Sequence, residues 1–251
     1  MLKATLLQNK MRTLFISDLH LHESRPEITR AFFDFLHTQA VGAEKLYILG
    51  DFFDAWIGDD DDSALNTEVA QELKKLSNSG TDIFLMHGNR DFLLGENFAE
   101  RAGAKMVDEG TIIDLYGHPT LILHGDQLCI SDQQYIAFRK QVRSPQWQQQ
   151  ILAQPLAARR ILAAQLREKS QEMNSLKAED ILDVTESEVV QVMKDANVKR
   201  LIHGHTHRPA RHPLQIDGES AERIVLGDWH DKAWAIVADD NKFELISWDI
   251  E

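Results

Sequence analysis

Residues 45–54 read Lys45-Leu46-Tyr47-Ile48-Leu49-Gly50-Asp51-Phe52-Phe53-Asp54, an apolar run that stops at a glycine and then delivers two carboxylates three positions apart. A short apolar run bounded by glycine marks a buried strand. The carboxylates then stand at its carboxyl end, where α/β sheets gather their ligands. The same punctuation recurs on both sides. Residues 13–16 end in Ser17-Asp18-Leu19-His20, and residues 83–86 in His87-Gly88-Asn89-Arg90-Asp91. Residues 120–123 end in His124-Gly125-Asp126, and residues 200–202 in His203-Gly204-His205-Thr206-His207. Five strand candidates each place a metal-capable side chain at the carboxyl end.

Between the first three strands lie stretches with apolar residues at helical spacing: Ile28, Phe32, Phe35 and Leu36 in residues 27–39, and Val69, Leu73 and Leu76 in residues 65–79. Strand–helix alternation predicts an α/β sheet core. Residues 224–226, 233–237 and 243–248 read as further strands. The last two are joined by the turn sequence Asp239-Asp240-Asn241, so the alternation ends in an antiparallel segment.

With 251 residues, 43% hydrophobic and 27% charged, the chain suits one large α/β domain or a domain with an insertion, and disorder is excluded. Its net charge of −13 argues against a generic binder of nucleic acid. Cys129 is the single cysteine, which points to a reducing cytoplasm. No signal peptide or run of about 20 apolar residues is evident. Residues 1–10, ahead of Met11, read as an N-terminal extension.

Residues 131–177 differ from their surroundings. They carry Arg139, Lys140, Arg143, Arg159, Arg160, Arg167, Lys169 and Lys177 against Asp132, Glu168 and Glu172, a local +5 in an acidic chain. Pro145 and Pro155 divide the stretch into two or three helices. Their apolar faces are Tyr135, Phe138 and Val142, then Ile151, Leu152 and Leu156, then Ile161, Leu162 and Leu166. A basic amphipathic insertion beside a metal site suggests a cap for an anionic amphiphile, although an ordinary solvated face would carry the same pattern.

The candidate ligands are Asp18, His20, Asp51, Asn89, His124, His203 and His205. Carboxylate, imidazole and amide oxygen without thiolate suit a borderline or hard divalent ion such as Mn, Fe or Zn. Seven ligands exceed the need of one ion. Two ions sharing Asp51 as a bridge fit better, and such a pair activates water and clamps a phosphorus centre. His22 and His207 flank these motifs and read as neighbours of the ligands or as surface residues. Asp132 suits the N-cap of a helix beginning near Tyr135.

This ordered set resembles the calcineurin-like metallophosphoesterase superfamily, with its D-x-H, G-D-x-x-D, G-N, H and G-H-x-H elements. The resemblance implies a four-layer α/β/β/α sandwich, with residues 11–130 and 178–251 as core and residues 131–177 as an inserted helical cap. It implies a first metal on Asp18, His20, Asp51 and His205, and a second on Asp51, Asn89, His124 and His203. Arg90 replaces the superfamily's usual histidine; it offers phosphate a fixed positive fork and cannot donate a proton, which suits a leaving group that departs as a phosphate anion.

Residues 48–60, 88–95 and 203–209 are similar to one branch, the UDP-2,3-diacylglucosamine diphosphatases of lipid A biosynthesis. That likeness implies hydrolysis of a lipid-linked nucleotide, with Asp51, Asn89, Arg90 and His124 catalytic, and with substrate contacts at Asn89, Arg90, Asp132, Ser170, Asn174, Lys177 and His203. It also implies two divalent ions, generally Mn²⁺, and a peripheral place at the cytoplasmic face of the inner membrane, with no nucleic acid and no obligatory protein partner. Asp228, in Gly227-Asp228-Trp229-His230, stands where the family often has a small residue. A phosphodiesterase acting on a soluble ester and a metal-dependent scaffold are the alternatives; the apolar insertion argues against the first and the full ligand set against the second.

Overall fold

A computed structural model describes residues 11–175, 181 and 183–251. In chain order its elements are β1 (Thr13–Ile16), α1 (Pro26–Phe35), β2 (Lys45–Leu49), α2 (Ala64–Asn78), β3 (Asp82–Met86), α3 (Glu96–Ala102), β4 (Ala104–Met106), β5 (Thr111–Leu115) and β6 (His118–Ile122). Three helices follow, α4 (Gln133–Val142), α5 (Pro145–Leu152) and α6 (Leu156–Ser175). Then come α7 (Glu186–Asp195), β7 (Arg200–His203), β8 (Ala210–Ile216), β9 (Glu219–Val225), β10 (Lys232–Asp239) and β11 (Lys242–Asp249).

The strands form two sheets, β11-β10-β1-β2-β3-β4 and β5-β6-β7-β9-β8. Strands with both faces buried alternate between two cores, because successive side chains point to opposite faces. Leu14, Ile16, Leu46 and Ile48 pack toward α1, α2 and α3 with Phe32, Phe35 and Trp229. Phe15, Tyr47 and Leu49 face the other sheet, meeting Ile122, Ile202 and Ile224. Leu121, Leu123 and Leu201 pack on Val189 and Met193 of α7. Three cores separate four layers, so the α/β/β/α sandwich expected from the resemblance is the observed fold.

The central strands are parallel and in register. Ile16 pairs with Ile48, and Leu49 with Met86; in the second sheet Ile122 pairs with Ile202. The loops after β1, β2, β3, β6 and β7 therefore leave their sheets side by side. β10 and β11 are antiparallel, as the turn at residues 239–241 predicts.

Several elements were not legible beforehand. β4 spans three residues, β5 alternates with a weak apolar face, and β8 contains Pro213, tolerated because β8 is an edge strand. The first predicted helix ends in a π-helical turn at Leu36–Ala40. α5 starts at Pro145, with Ser144 accepting from Trp147 N–H, and α6 begins just after Pro155. No helix among the described residues is long and apolar enough to cross a membrane.

Candidate metal centre

The loops at the strand ends approach too closely for ordinary side chains. A Cβ on Gly50 would lie 2.6 Å from Gly88 Cα, and one on Gly204 would lie 2.1 Å from Asp18 Oδ2. Among the described residues eight non-glycines have positive φ, and five of them are Asp18, His20, Asp51, His205 and His207. Left-handed backbone is costly for such residues and persists only where the surroundings impose it. Here the buried Asp91 carboxylate accepts from Gly88 N–H (2.7 Å), Phe52 N–H (2.8 Å), and Asp51 and Phe53 N–H (3.3 Å each). His20 N–H donates to Asp51 O (2.9 Å), Trp229 N–H to Asp18 O (3.0 Å) and His205 N–H to Asp18 Oδ2 (3.0 Å).

These loops assemble two clusters. In the first, Asp18, His20 and His207 converge, with 3.3 Å between His20 Nε2 and His207 Nε2 and 3.4 Å from His207 Nε2 to Asp18 Oδ1. In the second, Asn89 Oδ1 lies 3.0 Å from His124 Nε2 and 2.8 Å from His205 Nδ1. Asp51 stands between them, Oδ2 3.8 Å from His20 Nε2 and Oδ1 3.7 Å from His124 Nε2. One carboxylate thus presents an oxygen to each cluster, the geometry a bridging ligand needs.

The donor set fits divalent cations. His124 gives its Nδ1 proton to Leu49 O (2.9 Å), so its Nε2 lone pair faces the oxygens of Asn89 and Asp51, three acceptors converging on one point. The field there draws in positive charge. Burial lowers the His124 pKa, but the carboxylates of Asp51, Asp18 and Asp126 outweigh it and lift it to about 9. Burial, reinforced by Asp91 and Asp18, raises Asp51 to about 7.

His203 is not brought into either cluster. Its Nδ1 donates to Gly204 O (2.8 Å) and its Nε2 accepts from Arg223 (3.2 Å), on a wholly buried ring. His207, read beforehand as a neighbour, takes a place in the first cluster, and His205 joins the second rather than the first. The signal was present: in Gly204-His205-Thr206-His207 the glycine precedes His205, so the G-H-x-H spacing selects His205 and His207. His203 is the last residue of β7.

Arg90 is held by its backbone, N–H donating to Asp51 Oδ1 (2.7 Å) and carbonyl accepting from Trp56 N–H (3.2 Å). Its side chain lines a cavity of about 700 Å³ beneath α4–α6, walled by Trp56, Phe92, Phe138, Trp147 and Leu166. Ser170 and Lys169 line the same cavity. Asp132 caps α4 through Tyr135 N–H (3.0 Å), as predicted. Asn174 falls in α6, but its side chain, like Lys177 and residues 1–10, lies outside the described residues. Leu152 and Ile161, placed on the apolar faces by the sequence pattern, are 42% and 61% exposed.

The basic residues of this stretch are largely engaged with the core. Arg139 and Arg143 of α4 pair with Asp126 and Glu109, and Arg143 also donates to Gly88 O (3.0 Å). Arg159 pairs with Asp60, Arg160 with Asp61 and Arg167 with Asp54. Five of the eight positive charges are thus neutralised within the molecule. The local +5 is chiefly a fastening of α4–α6 to the core.

The model of the calcineurin-like phosphoesterase family matches residues 11–209. The chain belongs to that family. The three relatives compared with this phosphoesterase are each named UDP-2,3-diacylglucosamine hydrolase. That of Cellvibrio japonicus is 66% identical over 240 residues, covering 96% of this chain and 100% of the relative. Those of Marinobacter nauticus and Pseudomonas aeruginosa are 55% and 52% identical, each covering 92% of this chain and 95% and 96% of the relative. Phosphoesterases of this family use divalent metal ions, in keeping with the two clusters here.

Proposed function

We propose that this phosphoesterase hydrolyses the pyrophosphate bond of UDP-2,3-diacylglucosamine, giving UMP and 2,3-diacylglucosamine 1-phosphate (lipid X) in lipid A biosynthesis. The observation that carries this reading is the apolar cavity that opens on Asn89 and Arg90, which suits acyl chains tied to a phosphate. The names of the relatives support the same substrate. A small soluble phosphoester has no use for such walls.

In this reading Asp18, His20, Asp51 and His207 hold one cation, and Asp51, Asn89, His124 and His205 the other. Two divalent ions, Mn²⁺ in our reading, would supply positive charge for the phosphate oxygens and acidify the attacking water. Asp51 keeps the clusters in register. The oxygen of water bonds to the α-phosphorus while the bond from that phosphorus to the bridging oxygen breaks. The bridging oxygen leaves with the sugar 1-phosphate, an anion that needs no proton from the protein. Arg90 offers its guanidinium to the phosphate at the cavity mouth. Asp132, Ser170, Asn174 and Lys177 contact the sugar phosphate. His203, with both ring nitrogens engaged, supports the histidine loop instead.

Residues 131–177 serve as the cap, with residues 11–130 and 178–251 as the core. The exposed Leu152 and Ile161 support peripheral contact with the cytoplasmic face of the inner membrane, where the substrate's acyl chains reside. The test is UMP release by metal-stripped protein from UDP-2,3-diacylglucosamine on re-adding Mn²⁺, Mg²⁺ or Zn²⁺, with bis-p-nitrophenyl phosphate in parallel. Metal-dependent release with strong preference for the lipid is expected. Cleavage of the aryl diester alone would overturn the substrate.

A further inference from the structure

The first cluster has an acidic neighbour outside the ligand set. After β9 the chain runs Leu226-Gly227-Asp228-Trp229 past the histidine loop. Leu226 N–H donates to His203 O (2.8 Å), Trp229 N–H to Asp18 O (3.0 Å), and Arg25 to Trp229 O (2.7 Å). Trp229 is fully buried, and a Cβ on Gly227 would lie 2.5 Å from Trp234 Cδ1. The backbone on both sides of Asp228 is fixed.

The Asp228 carboxylate, 33% exposed, lies with Oδ2 3.6 Å from His207 Nδ1. The opposite nitrogen of the same ring, Nε2, faces Asp18 and His20. A carboxylate on the Nδ1 side favours the tautomer with its proton there, presents the Nε2 lone pair to the cluster, restrains the ring and raises its basicity. His124 obtains the same bias from Leu49 O, whereas among the described residues His20 Nδ1 has no hydrogen-bond partner. Of the two imidazoles in the first cluster, only His207 has such backing.

We propose that Asp228 is a positioning residue for His207, setting its tautomer and strengthening cation binding at the first cluster. The inference rests on the two-cation reading above, and deepens it. At 3.6 Å the pair is an ion-pair contact rather than a hydrogen bond, so the bias on the tautomer is electrostatic.

The test uses full-length protein with Asp228→Ala and Asp228→Asn, stripped of metal and titrated with Mn²⁺ in a calorimeter. Histidine ¹⁵N spectra of the metal-free proteins are recorded alongside. Wild type should bind two ions. Asp228→Ala should weaken one of them on the order of 10- to 100-fold and leave the other unchanged; Asp228→Asn, which keeps an acceptor oxygen but no charge, should fall between. Asp18 Oδ1, 3.4 Å from Nε2, competes for the ring proton in metal-free protein, so the Nδ1–H population of His207 should be larger in wild type than in Asp228→Ala, where only Asp18 remains. Unchanged Mn²⁺ affinities in Asp228→Ala would overturn the proposal. If wild type bound fewer than two ions, the two-cation reading would fail, and identical His207 tautomers in wild type and Asp228→Ala would independently overturn the role of Asp228.

Discussion

Replacing His203 and His207 in turn should give opposite phenotypes. The His203 ring is wholly buried and makes two hydrogen bonds, one to the Gly204 carbonyl and one from the Arg223 guanidinium. A neutral bond contributes about 1 kcal/mol and one from a charged group about 1.5–3 kcal/mol, so His203→Ala should cost roughly 2.5–4 kcal/mol. In a chain of this size that lowers Tm by roughly 5–15 °C. Neither nitrogen of His203 faces the clusters, so two ions should still bind. His207 is 38% exposed and its contacts are polar, so His207→Ala should change the Tm of metal-free protein little, but remove a ligand from the first cluster and leave one tight ion. Thermal melts of stripped protein together with metal analysis after dialysis read both effects. Loss of an ion in His203→Ala at unchanged Tm, with both ions kept in His207→Ala, would refute the assignment.

Arg90→Ala should retain both ions and lose on the order of 10²–10³ in kcat, read by steady-state kinetics on the lipid nucleotide. Arg143→Ala removes the donor to Gly88 O, the carbonyl next to Asn89; turnover of bis-p-nitrophenyl phosphate should fall about tenfold, and an unchanged rate would mean that α4 acts on the acyl chains alone. Exchanging Arg159 and Arg160 together for alanine should loosen α6, raising KM for the lipid and speeding proteolysis within α5–α6 while sparing the aryl diester. Asp51→Ala should abolish binding at both clusters, seen as complete loss of Mn²⁺ uptake, because its two oxygens serve both.

The strand ends were legible because an apolar run that stops at Gly50 or Gly88 reports both burial and the turn that follows. Parallel pairing in register then makes the loop contents neighbours, so Asp18, Asp51 and Asn89 could be grouped before any distance was known. The histidine loop packs three histidines into five residues, so the choice of pair rests on one glycine: the G-H-x-H spacing counted from Gly204 gives His205 and His207, and the His203 ring turns instead to Arg223, 20 positions away. β5 and β8 lacked the strong apolar face that makes a strand visible. The charge of residues 131–177 was plain in the composition, but its partners were not. Arg159 meets Asp60 across 99 residues of chain, a relation that only the packing of α6 on the loop after β2 creates.

The five fastened arginines make the helical insertion and its host a matched set. Residues 133–175 moved into another phosphoesterase core would arrive with five guanidinium groups and no acids to meet them, unless Asp54, Asp60, Asp61, Glu109 and Asp126 travelled too. Those acids lie in three stretches, all upstream of the insertion, so an exchange confined to residues 133–175 leaves every one of them behind, whereas a segment spanning residues 54–175 carries the whole set. Such an insertion is inherited with its core, and a chimera that exchanges it to change acyl preference has to exchange the acids as well.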